Sequence, residues 1–207
     1  PPHTPPPPDT PPPPDTPPPP ETAGPPRPSG APYILGLGTV EPRKDFPLLV
    51  RAFDRLAGDD ADLELRIVGP AGWGEEALGA AIAASPFGSR IRREGWVADP
   101  TALLQDATVF AYPSVYEGFG LPPLEAMALG VPVVATAAGA VPEVVGEAAD
   151  LVAVGDADAL AAALARVLGD DDHRARLVAA GRERVAGFTW TAAGQAMATL
   201  YRQLAGA

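Results

Sequence analysis

The chain has 207 residues, with 26 acidic and 15 basic side chains, a net charge of −11 at pH 7 and no cysteine. This acidic balance argues against a nucleic-acid phosphate backbone as partner, and the missing cysteines exclude disulfides, thiol nucleophiles and cysteine metal sites. Two histidines leave little for a zinc centre, and no apolar run approaches the ~20 residues that a membrane span needs.

Of the 28 prolines, 18 fall in residues 1–32. Three six-residue units (4–9, 10–15 and 16–21) each contain four consecutive prolines, which fix φ and supply no amide donors. Residues 1–32 therefore read as a disordered or polyproline II linker, a stiff spacer in preference to a ligand for an aromatic-grooved module. The chain starts at Pro1 and not at Met, so further residues are expected upstream. Residues 33–207 are enough for one domain that buries about 70% of its unfolded surface.

Short apolar runs at 33–38, 63–68, 91–97, 108–112, 131–135 and 151–154 predict strands. Helical patterns separate them at 48–56, 75–83 and 101–105, and in a helix that carries Pro122 in its first turn and ends before Gly130. Asp45 reads as an N-cap with Pro47 in the first turn behind it, and Pro142 as another helix starter. Strand and helix in alternation predict a doubly wound, Rossmann-like parallel α/β sheet covered on both faces. The end of the chain departs from that rhythm: 158–168, 172–185 and 190–204 are successive helices, the last capped by Thr189. His173, after three aspartates that read as capping and charge-dipole residues, is expected to be a solvated surface residue.

Gly36-Leu37-Gly38-Thr39-Val40-Glu41-Pro42-Arg43-Lys44-Asp45 follows the first strand. A dinucleotide fingerprint is rejected, because Glu41 occupies the third glycine position and the second strand ends in Val68-Gly69-Pro70 without the expected acid. Arg43 and Lys44 instead offer a planar fork and a point charge to a diphosphate, although an isolated Arg-Lys pair is also an ordinary solvated surface pair. Further on, Glu117-Gly118-Phe119-Gly120-Leu121-Pro122-Pro123-Leu124-Glu125 sets a glycine-rich turn and a helix start between two carboxylates. Gly118 and Gly120 allow close backbone approach, and amides around Leu121 are phosphate donors at a helix N-terminus. Glu125, one turn in, suits the vicinal hydroxyls of a ribose; Glu117, free in the loop, suits a donor sugar. Alone, the E-x7-E spacing is common by chance, and Glu125 also fits a carboxylate favoured by the helix dipole.

Pro113 through Val134 closely resembles the signature of the group 1 retaining glycosyltransferases, the donor-binding C-terminal half of the GT-B architecture, of mannosyltransferase-like type, and the likeness runs from Tyr33 to about Tyr201. The resemblance implies that Arg43 and Lys44 hold the diphosphate of a UDP- or GDP-sugar beside Gly38, that Glu117, Gly118, Phe119, Gly120, Leu121 and Glu125 complete the grip, and that Gly69 and Val97 seat the base. Asp45 departs from the asparagine usual in the family. Trp73 and Trp96 either stack on that base or, as strand-end aromatics more often do, cover the rim of the core. The implied reaction is sugar transfer to an acceptor with retention and without a metal. The acceptor site is implied to belong to an N-terminal domain that these residues lack, with any peripheral membrane contact made through that domain, and the last helix to lean toward it. A cytoplasmic location is expected. A nucleotide-sugar binding or interaction module tethered by the proline tract, and a GT-B sugar-nucleotide epimerase, share these features.

Overall fold

Six strands, every neighbouring pair parallel, form a single sheet in the computed structural model, which describes residues 30–205. The proline repeats and the rest of the expected linker up to residue 29 lie outside the described residues, as do residues 206 and 207. The strands are β1 (Tyr33–Leu37), β2 (Glu64–Val68), β3 (Ile91–Glu94), β4 (Val109–Tyr112), β5 (Val133–Thr136) and β6 (Ala149–Val152). The helices are α1 (Phe46–Leu56), α2 (Glu75–Ala84), α3 (Thr101–Gln105), α4 (Leu121–Ala128), α5 (Val141–Val145), α6 (Ala157–Gly169), α7 (Asp171–Ala186) and α8 (Trp190–Ala205). The spatial order is β3-β2-β1-β4-β5-β6, so connections leave the β1–β4 pair in opposite directions and a crevice opens at the carboxyl ends of these two strands.

Because successive side chains on a strand point to opposite faces, Ile34 and Leu35 enter two different cores. One core joins Ile34, Leu65 and Ile67 to Leu49 and Phe53 of α1, Leu78 of α2 and Leu160 and Leu164 of α6. The other joins Leu35, Phe110 and Tyr112 to Leu104 of α3, Met127 of α4 and Val145 of α5. Burial on both faces explains the near-continuous apolar strands, each fully buried Leu, Ile or Phe contributing roughly 1.5 to 3 kcal/mol.

The expected doubly wound fold and the helical tail are observed, with shifts at element ends. Asp45 caps α1 as expected, accepting a 3.2 Å bond from the Leu48 amide, but α1 starts at Phe46, two residues before the expected start. β3 stops at Glu94, short of Val97, because the Gly95 carbonyl turns to accept from the Gly69 amide at 3.1 Å. β6 lies at Ala149–Val152 and not at 151–154. Its second residue, Asp150, is charged, and its carboxylate accepts from Arg166 at 3.0 Å and meets His173 Nε2 at 2.9 Å. That contact also corrects the solvated reading of His173, whose side chain is only 14% exposed. Asp170 caps α7 through the His173 amide, and Thr189 caps α8 through the Ala192 amide. α7 packs on α4 and α6, whereas no residue of α8 is buried, and Trp190, Met197, Leu200, Tyr201 and Leu204 remain exposed along it.

Candidate functional site

The crevice between β1 and β4 gathers charge from both strands. Arg43 and Lys44 arrive on a short 3-10 turn, Pro42–Lys44, just after β1, while Tyr112 ends β4 and Glu117 follows in the loop toward α4. Lysine is among the residues least often buried, yet Lys44 is 6% exposed. Its Nζ donates to Glu117 Oε1 at 2.7 Å and to the Tyr112 hydroxyl at 3.0 Å, and lies 4.6 Å from the Tyr112 ring centroid. Arg43 reaches the same Glu117 oxygen from outside, Nη1 at 2.9 Å, and its Nε donates to Glu41 at 2.8 Å. Glu117 is therefore not free in its loop, as the sequence reading had it; it is 8% exposed and held by both cations. Buried charge persists only when paired and hydrogen-bonded, and this cluster of two cations and two carboxylates meets that condition. Arg43 keeps 43% of its side chain exposed, so its fork still faces solvent.

Backbone contacts fix this cluster. The Val115 amide donates to the Arg43 carbonyl at 2.8 Å, tying the β4 loop to the β1 turn, and the Ala140 amide donates to the Glu117 carbonyl at 3.0 Å. Gly139 has φ 53°, and a Cβ there would stand 2.3 Å from the Glu117 carbonyl oxygen, so only glycine allows the β5–α5 turn to come this close. Thr136 Oγ1 donates to the Ser114 and Tyr112 carbonyls, the latter at 3.3 Å. Ser114 Oγ is buried and, among the described residues, has no hydrogen-bond partner in good geometry. Sequence reasoning missed Tyr112, which it placed only as a strand residue, and took from the turn that Gly139 opens only Pro142 as a helix starter. The signal that could have found them was their position at carboxyl ends of adjacent strands.

Burial pushes the Glu117 carboxyl up, but the Lys44 hydrogen bond, aided by the nearby Ser114 and Tyr112 hydroxyls and by the Lys44 charge, outweighs it and holds the group below its ordinary value of 4.5. The ionised carboxylate thus adds stability at pH values above about 4.5, and this contribution is lost as the pH falls through the depressed folded value. Glu117→Gln is expected to flatten the acid limb of stability against pH in that window, read by urea melts from pH 7 downward; an unchanged acid limb would contradict the pairing. The Tyr112 phenol is pushed up, by burial first and then by the Glu117 charge, so it remains a neutral donor beside them.

At the start of α4, none of the amides of Gly118, Phe119, Gly120 and Leu121 bonds another group among the described residues. Pro122 and Pro123 have no N–H, so the helix's free donors concentrate in this loop. The Phe119 ring packs edge-on against Phe188 with centroids 5.9 Å apart. Glu125 is exposed one turn into α4; its carbonyl accepts from the Leu129 amide at 3.2 Å, while its carboxylate bonds no group among the described residues. On the β2 side, Gly69 has φ 137°, and a Cβ there would stand 2.2 Å from the Gly38 carbonyl oxygen, which locks these two turns together; a Cβ on Gly38 would meet Lys44 Cε at 3.1 Å. Val97 packs partly buried against the second core. Trp73 and Trp96 do not cover the core rim, being 79% and 70% exposed at the ends of β2 and β3. The structure thus joins Arg43, Lys44 and Glu117 directly, sets Gly38 between Lys44 and Gly69, and leaves Glu125 unbonded to them. Among the described residues no group of three or more His, Asp or Glu stands together to hold a metal ion, and no helix is long and apolar enough to cross a membrane.

The family model for group 1 glycosyl transferases matches residues 21–184. O-antigen chain mannosyltransferase B of Escherichia coli is 37% identical over 167 residues, covering 76% of this chain and 42% of that protein. Phosphatidyl-myo-inositol mannosyltransferase of Mycolicibacterium smegmatis is 36% identical over 172 residues, covering 81% and 44%. Of solved structures, sucrose-phosphate synthase from Thermosynechococcus elongatus superposes with a TM-score of 0.74 at 32% identity, covering 85% of this chain and 46% of that one. The Anabaena protein HepE, solved with UDP and glucose, gives 0.73 at 25% identity, covering 83% and 48%. The chain spans less than half the length of the two curated relatives.

Proposed function

The chain belongs to the group 1 glycosyltransferases, and on that premise we propose that it is a donor-binding half, holding a nucleoside diphosphate sugar for transfer of the sugar to an acceptor with retention. The observation that carries this is the meeting, at one crevice, of the Arg43–Lys44 pair with four unpaired amides at the start of α4. A diphosphate placed between them takes the outward N–H groups of Arg43 and the free amides, and charge that grows on it as the sugar departs is stabilised by donors already in place. Arg43 moving to phosphate leaves Glu117, still held by Lys44, to accept from donor-sugar hydroxyls. Glu125 accepts from the ribose, while Gly69 and Val97 border the base, with the open Trp73 and Trp96 rings beside them. No metal is needed where cations and amides do this work. The acceptor hydroxyl is positioned by residues outside these 207.

Two carboxylates in two roles give a divided result. Glu125→Gln is expected to weaken both UDP (or GDP) and its sugar conjugate by about 1 to 3 kcal/mol, and Glu117→Gln to weaken the conjugate alone, by calorimetry. Equal loss of nucleotide affinity in both variants would overturn the division. The 207-residue chain, incubated with UDP- and GDP-sugars and an acceptor mixture, is expected to bind donor without making glycoside, because an unpositioned hydroxyl lacks the large rate advantage of proximity. Robust acceptor-dependent turnover by mass spectrometry would refute the half-enzyme reading.

A further inference from the structure

The loop that carries the unpaired amides is gripped at two points, only one of which lies in the crevice. At its start, the Glu117 carbonyl accepts from Ala140 at the head of α5. At its middle, Phe119 has its ring against Phe188, in the connection between α7 and α8, with the planes 81° apart. Phe188 is itself fixed: its amide donates to the Val185 carbonyl at 2.9 Å, and the Arg184 guanidinium stands 5.1 Å from its ring centroid. Arg184 donates in turn to the Glu143 and Val144 carbonyls at the end of α5, the latter at 2.9 Å. A closed circuit results: Glu117, α5, Arg184, Phe188, Phe119. Its two ends brace the same short loop, and α5 supplies the rigid side.

We propose that Phe188 is a positioning residue for the donor diphosphate. It touches no ligand; through Phe119 it holds the Gly118 to Leu121 amides in the orientation that the phosphates require. This inference rests on the donor reading above and adds to it a residue at the root of α8, the helix with no buried residue. Phe188 and Phe119 are 39% and 44% exposed, so the contact is not needed to fill the core.

The test uses Phe188→Ala, Phe119→Ala, the double variant and Phe188→Tyr in the full chain. Ligand-free hydrogen exchange is expected to show residues 118–121 exchanging faster in Phe188→Ala and at the normal rate in Phe188→Tyr. UDP and GDP are titrated, and the tighter is used against its nucleoside. Each alanine variant is expected to lose about 3- to 10-fold in diphosphate affinity, the size of an edge-to-face aromatic pair, with nucleoside affinity unchanged and the melting temperature lowered by no more than about 2 to 6 °C. The double variant is expected to be no worse than either single one. Fully additive losses, an equal loss for the nucleoside, or faster exchange with unchanged diphosphate affinity would each overturn the proposal. A wild-type chain that binds neither diphosphate defeats the donor reading and with it this role for the amides, and unchanged exchange in Phe188→Ala defeats the bracing on its own.

Discussion

Lys44→Ala is expected to destabilise the domain by about 3 kcal/mol, because it strips the nearest counter-charge from a buried carboxylate. As counter-charge Glu117 would keep only Arg43, whose side chain is 43% exposed and shared with Glu41, and the Tyr112 hydroxyl would lose its donor. For a domain of this size that is a fall of roughly 6 to 12 °C in melting temperature. The same variant is expected to lose diphosphate binding, since the ammonium sets both Glu117 and the local positive charge. The sign can be tested with a partner change: Lys44→Met with Glu117→Gln removes both buried charges, leaves Arg43 paired to Glu41, and is expected to be more stable than Lys44→Ala alone. Thermal and urea melts of the three proteins decide it. A Lys44→Ala protein as stable as wild type would mean that the pair is solvated and that the buried cluster is wrongly described.

Gly139→Ala is expected to cost about 2 to 3 kcal/mol, from a left-handed backbone that alanine resists and from contact with a carbonyl that cannot swing away. The obstacle is the Glu117 backbone, held in turn by the Ala140 amide, so relief requires moving the residue that meets both cations. Affinity for a nucleoside diphosphate sugar is therefore expected to fall with stability. Gly194→Ala on α8 is the control, since a Cβ there meets nothing within 4 Å and alanine is the better helix former. Wild-type stability in Gly139→Ala would show that the β5–α5 turn does not support Glu117.

What could be read in the sequence follows from distance along the chain. Strand and helix alternated legibly because both faces of the sheet are covered, so residues 33–37 and 109–112 read as plain apolar runs. β6 was misplaced where Asp150 interrupts that pattern with a charge whose partners, Arg166 and His173, lie on later helices. Arg43, Lys44, Glu117 and Glu125 were singled out by residue type and motif. The pairing of Lys44 with Glu117, 73 residues apart, was not legible, because nothing local distinguishes a buried lysine from a solvated one. Gly139 escaped for the same reason: its φ and its neighbour are set by how two loops meet. Trp73 and Trp96 were expected on the core rim by residue habit, and the ends of β2 and β3 leave them open.

Calorimetric titration of UDP, GDP and the matching nucleosides into wild-type protein and Arg43→Ala tests the central claim most directly. Arg43 offers the exposed fork of the cluster, so its loss spares the buried Lys44–Glu117 pair while removing a charge-assisted bond worth about 1.5 to 3 kcal/mol. The predicted result is that one diphosphate binds wild type, that its affinity falls by about 10- to 100-fold in Arg43→Ala, and that the weak binding of its nucleoside is unchanged. Equal losses for nucleoside and diphosphate, or no binding of either diphosphate to wild type, would contradict the assignment of this crevice to the donor.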